Sequence, residues 1–97
     1  MEPKLLFEDD FNAITLGMNT KEHESFNGKD IKITFIEAIS KPRSLWFVKL
    51  EIKDSTYYLW TDKKYFDHAR KLVNKGANEK AMFFQELRRI IFTPLCE

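Results

Sequence analysis

Between residues 31 and 60 the chain reads IKITFIEAISKPRSLWFVKLEIKDSTYYLW. Ile31, Ile33 and Phe35 alternate with Lys32 and Thr34, and the run breaks at Lys41-Pro42-Arg43-Ser44. Alternation resumes from Leu45 to Lys53, and a third run follows Asp54-Ser55 from Thr56 to Trp60. Period-two runs separated by short polar breaks predict a three-stranded antiparallel meander. A two-residue loop at Asp54-Ser55 would pair Ile52 with Tyr57 and Leu50 with Leu59. A loop over residues 41–44 would pair Ile33 with Ile52, Phe35 with Leu50 and Ile39 with Trp46, on that same face. Glu37 is the misfit: this register aims it inward beside Val48, so a bulge or an early end of the first strand is expected there.

After Trp60 the apolar period changes from two to about 3.6. Thr61 or Asp62 is placed to cap a helix whose core stripe is Phe66, Ala69, Leu72 and Val73, and Gly76 follows its last turn. Asn78 offers a second cap; Phe83 or Phe84, Leu87, Ile90 and Ile91 form a second stripe, and Thr93-Pro94 is expected to end it. In the first 30 residues Lys4 to Phe7 reads as a strand, Phe11 to Met18 as a strand or a short helix, and the rest as a polar loop through Gly28. The fold class expected is α+β: an antiparallel meander of three to five strands with two C-terminal helices packed on one face. Residues 1–97 are read as a single domain, with an acidic leader over 1–30, the meander over 31–60 and the helices over 61–93. The inner core is expected to hold Ile33, Phe35, Val48, Leu50, Ile52, Leu59, Phe66, Ala69, Leu72, Leu87 and Ile90.

Composition bounds the function. With 97 residues, 43% hydrophobic and 32% charged, the chain is apolar enough for one core and too short for two. Sixteen Lys and Arg against 15 Asp and Glu give a net charge of +1, which supplies no general attraction to duplex DNA or a membrane surface. The balance is uneven along the chain: Lys4, Lys21 and Lys29 face seven acidic residues up to Asp30, whereas 13 basic residues face eight acidic ones afterwards. A single cysteine, Cys96, makes no intrachain disulfide and lies outside the prenylation pattern. Met1-Glu2-Pro3-Lys4 lacks a long apolar h-region and runs into Glu8-Asp9-Asp10, so no signal peptide is expected and the cytoplasm is the expected compartment.

Chemistry-bearing motifs are sparse. His23 and His68 are 45 positions apart, with no zinc, calcium or metalloprotease spacing around either, so no metal and no cofactor are expected. Glu22-His23-Glu24 reads as a solvated loop tip and Asp67-His68 as a surface pair. Three glycines, at 17, 28 and 76, cannot make a phosphate-binding loop, and no serine lies in a nucleophile-elbow context. Asp9-Asp10 reads as an acidic turn or helix start. No catalytic residue is assigned; an enzyme would need a constellation assembled only in space, from groups such as His68, Tyr58 or a lysine.

The register that builds one apolar face puts Ile36, Ala38, Phe47, Tyr58 and Trp60 on the other, among Lys32, Thr34, Lys49, Glu51 and Lys53. Such a face is costly to leave in water. Three occupants compete for it: the protein's own N-terminal segment, through Leu5, Leu6, Phe7, Phe11, Ile14, Leu16 and Met18; a protein partner; or single-stranded nucleic acid stacked on the aromatics. The functional expectation is a small non-catalytic cytoplasmic module, of inhibitor or adaptor type, that binds a protein partner through Phe47, Tyr58, Trp60, Lys32, Lys49 and Lys53. Single-stranded nucleic acid on the same face is the alternative, and no membrane is expected as partner. Met82, Phe83 and Phe84 cover more of the second helix than one stripe needs, which makes a homodimer through that helix a further expectation.

Overall fold

The computed structural model describes residues 3–28 and 30–96, with the backbone alone for residues 77, 79 and 91–96. The alternating stretch forms β3 (Ile31–Ile39), β4 (Leu45–Ile52) and β5 (Ser55–Thr61). They are preceded by β1 (Lys4–Phe7), α1 (Glu8–Ile14) and β2 (Asn19–Asn27), and followed by α2 (Lys63–Lys75) and α3 (Ala77–Cys96). The five strands form one antiparallel sheet in the order β1-β5-β4-β3-β2, so the fold is α+β, a five-stranded sheet followed by two helices. The chain divides inside α2 into two compact units, one ending at Phe66 and the other beginning at Asp67.

Both expected hairpin registers are corrected by two residues. Ile33 lies opposite Leu50, Phe35 opposite Val48 and Glu37 opposite Trp46. Val48 lies opposite Leu59, Leu50 opposite Tyr57 and Ile52 opposite Ser55, so the tight loop is Lys53-Asp54. Lys53 accepts a positive φ of 54°, the conformation required of the first central residue in the primed turns that match strand twist. Because side chains repeat every two residues, a shift of two leaves each of them on its expected face. Ile33, Phe35, Val48, Leu50 and Leu59 are therefore fully buried as expected, together with Phe66.

The polar stretch expected as a loop is β2, an edge strand. Most of its nine residues are exposed, and charged side chains on a solvated edge discourage pairing with another chain. The irregularity expected in the first strand of the meander lies instead in β2, between Glu22 and Glu24, while β3 runs unbroken.

In the helices, the Asp62 carboxylate accepts the Tyr65 N–H at 2.7 Å and so caps α2. Asn78 lies one residue inside α3 rather than before it. The second helix also runs through Thr93-Pro94 to Cys96. Proline's fixed φ is compatible with a helix, but it forfeits the hydrogen bond to the residue four before it and its ring crowds that residue's carbonyl. In the second unit Ala69, Val73, Phe83 and Leu87 are buried, whereas Leu72 and Ile90, like Ile52 in the sheet, are only partly so. The side chain of Ile91 lies outside the described residues.

Candidate functional site

The face expected to bind a partner is occupied by the protein's own N-terminal segment. Leu6 of β1 and Phe11 of α1 form a second core with Ile36, Ala38, Phe47 and Tyr58, and Ile14, Met18, Leu45 and Trp60 pack around it. Phe11 stacks on Tyr58 with ring centroids 3.9 Å apart and meets Phe47 edge-on at 4.9 Å. Phe47 is wholly buried and Tyr58 is 4% exposed, which corrects their expected role as accessible binding residues. Burial pushes the Tyr58 phenol above its ordinary value, leaving it neutral and poorly suited to act as a base. The expected lysines lie near one another at the β4–β5 hairpin end of that face: Lys32 is exposed opposite Glu51, Lys49 bridges to Glu51 at 3.6 Å, and Lys53 forms the hairpin turn. Trp60 remains partly exposed and stacks on Phe47 at 6.0 Å.

A different place collects the functional side chains. Pairing sets Lys21, Glu37, Trp46 and Thr61 in one row across β2, β3, β4 and β5. The β2 bulge adds His23 to that row. Glu22 pairs with Ile36 and Glu24 with Phe35, so His23 is the extra residue, and a bulge re-aims the side chain it carries. His23 Nε2 lies 2.9 Å from Glu37 Oε1, and its ring stands edge-on to Phe66 at 5.6 Å and tilted toward Trp46 at 6.2 Å. The Ser44 hydroxyl, then the His23 imidazole, hold the Glu37 carboxyl below its usual range, against the opposing effect of burial; the charges of His23 and Lys21 add to the lowering. The inward glutamate that the sequence left unexplained thus has a partner from the edge strand.

Beside this row the ends of β4 and β5 and the start of α2 enclose a cleft of about 430 Å³, lined by Arg43, Ser44, Leu45, Trp46, Trp60, Thr61, Asp62 and Lys63. Its size falls in the range of ordinary ligand pockets. Lys63 Nζ stands 5.9 Å from the centre of the Trp46 ring, and Phe66 packs tilted against that ring at 5.0 Å. Thr61 donates its hydroxyl to the Trp46 carbonyl at 3.3 Å, tying the two cleft walls together. Its acidic lining residue, Asp62, is engaged in capping α2, and Glu37, in the neighbouring row, is held by His23.

The arrangement does not form a nucleophilic triad. In a triad the histidine stands between hydroxyl and carboxylate, so that it can take the hydroxyl proton. Here the carboxylate is in the middle, and its lowered proton affinity makes it a poor base. Among the described residues no three His, Cys, Asp or Glu gather as a metal site, and no helix is long and apolar enough to cross a membrane. His68 is exposed on α2. Comparison with protein-family models, with curated proteins and with solved structures finds no match.

Proposed function

We propose that this protein is a small non-catalytic binding module that recognises a protein partner at the sheet-end cleft. The observation that carries the reading is that two partly exposed tryptophans, Trp46 and Trp60, set by the strand register on opposite faces of the sheet, both reach the lining of that cleft at the sheet end. Tryptophan supplies large contact area at low entropic cost and dominates the centres of protein interfaces. Nucleic acid is the weaker reading, because bases stack on free ring faces. Trp60 already stacks on Phe47, while Trp46 is flanked by Phe66 and the Lys63 ammonium. A single cysteine with no intrachain partner suits a reducing cytoplasm, where an inhibitor or adaptor of this size would act.

Selection of displayed random peptides on the full-length protein tests the reading. Wild-type protein is expected to enrich a recurring motif, and Trp46→Ala and Trp60→Ala to lose it while keeping the wild-type circular dichroism spectrum. Peptides that bind both variants undiminished would place the interface elsewhere. Enrichment of nothing, with single-stranded oligonucleotide quenching tryptophan fluorescence steeply less as salt rises, would replace a protein partner by nucleic acid.

A further inference from the structure

The cleft has a charge as well as a shape. Lys41 and Arg43 in the β3–β4 loop, and Lys63 and Lys64 at the start of α2, are all exposed, and no ion pair engages them among the described residues. Arg43 and Lys63 line the cleft itself. Lys4, opposite Trp60, and Lys21, opposite Glu37, belong to the same end of the sheet. Of the carboxylates nearby, Asp62 is bound to the α2 backbone and Glu37 to His23, while Glu22, beside Lys21 on the edge strand, is exposed. The opposite end carries Glu8, Asp9 and Asp10 in the first turn of α1, beside the start of β5.

An exposed arginine and lysine on a partly apolar cleft favour a ligand that is anionic at its edge and apolar at its centre. We infer that the cleft receives an acidic segment of the partner protein, with an apolar side chain in the cleft beside Trp46 and carboxylates at Arg43 and Lys63. This rests on the binding-module reading above and adds the chemistry of the partner. Arg43 offers the planar fork that pairs with a carboxylate through two hydrogen bonds, while Lys63 acts as a point charge over the Trp46 ring.

The test is a titration of the ¹⁵N-labelled full chain, read at the indole N–H signals of Trp46 and Trp60, with Trp46→Phe and Trp60→Phe assigning each. The probes are a blocked Glu-Asp-Phe-Asp-Glu peptide, its Gln-Asn-Phe-Asn-Gln counterpart and oligothymidine. The acidic peptide is expected to shift both indole signals and to bind at least tenfold more tightly than the amide peptide in low salt. Arg43→Glu with Lys63→Glu is expected to lose that tenfold, and Lys71→Glu with Lys75→Glu on the exposed face of α2 to lose none of it. Equal binding of both peptides overturns the acidic preference and leaves the binding module standing. Shifts with oligothymidine and not with the peptides overturn both. Indole signals that move with protein concentration alone make a second copy of the chain the occupant, and overturn a separate partner. No shift with any probe overturns the acidic segment, and the display selection then decides on the module independently.

Discussion

At the residue scale, Glu37 is a partly buried carboxylate whose pKa its neighbours lower. A carboxylate in the row of a sheet's apolar face costs free energy unless its charge is answered, and Ser44, His23 and Lys21 answer it. The sign of its pH dependence follows. Its folded value lies below the usual 4.5, so the folded state prefers the ionised form more strongly than the unfolded chain does. That contribution is complete above the unfolded value and is lost as pH falls through the folded one. Denaturant titrations are therefore expected to show Glu37→Gln less stable than wild type at neutral pH, with the gap closing as pH is lowered below 4.5. A gap that stays constant down to pH 3 would mean that the charge of Glu37 is not what its partners stabilise.

At the element scale, α1 and the bulge in β2 make the two faces of the sheet what they are. α1 is seven residues long, too short to be stable alone, and it holds because Phe11 reaches Tyr58 and Phe47. Phe11→Ala is expected to cost about 3 to 5 kcal/mol in denaturant unfolding, the usual range for a buried phenylalanine, and to red-shift Trp60 emission in a Trp46→Phe background. A loss below about 1 kcal/mol would show that α1 covers the second face without stabilising it. For β2, deleting His23 leaves Glu22 opposite Ile36 and Glu24 opposite Phe35 in plain alternation. The deletion variant should therefore fold with an intact strand pairing and lose chiefly the stabilisation that His23 gives Glu37, read as backbone amide shifts confined to Glu22, Glu24 and the facing residues Phe35 to Glu37. Shifts spread along the whole of β3 would mean that the bulge itself sets the register. The strands and helices were legible because their apolar periods are strong. The two-residue register error was not detectable from the pattern, because any even shift preserves both faces. Only the turn distinguishes the registers, and its positive-φ residue is Lys53, which carries no turn signature of its own. β2 was illegible for a related reason: an edge strand presents the same polar composition as a loop.

At the scale of the whole molecule, the sequence marks the second face as aromatic, and the N-terminal segment, one of three candidate occupants, covers it. The cleft was not read at all. Its walls come from the β3–β4 loop, the end of β5 and the start of α2, segments that only the sheet pairing brings together. No local pattern marks such a place; the available signal was the run of basic residues on either side of Trp46 and Trp60, at Lys41, Arg43, Lys63 and Lys64. Net charge conceals this arrangement. Residues 1–66 carry ten basic and eleven acidic side chains, so the unit with the basic end is itself slightly acidic overall. Separated charges of this kind act on a surface by their local field, which reaches about 10 Å in 0.1 M salt, rather than by their sum. Ion-exchange retention near pH 7.8, where the chain is close to neutral, reads that field directly. The reversals Arg43→Glu with Lys63→Glu and Lys71→Glu with Lys75→Glu lower the net charge by the same amount. If the sheet end concentrates the field, the two pairs elute from an anion exchanger, which retains both, at clearly different salt. Identical elution of the two pairs would show that net charge alone governs the surface, and the electrostatic basis for an acidic partner would go with it.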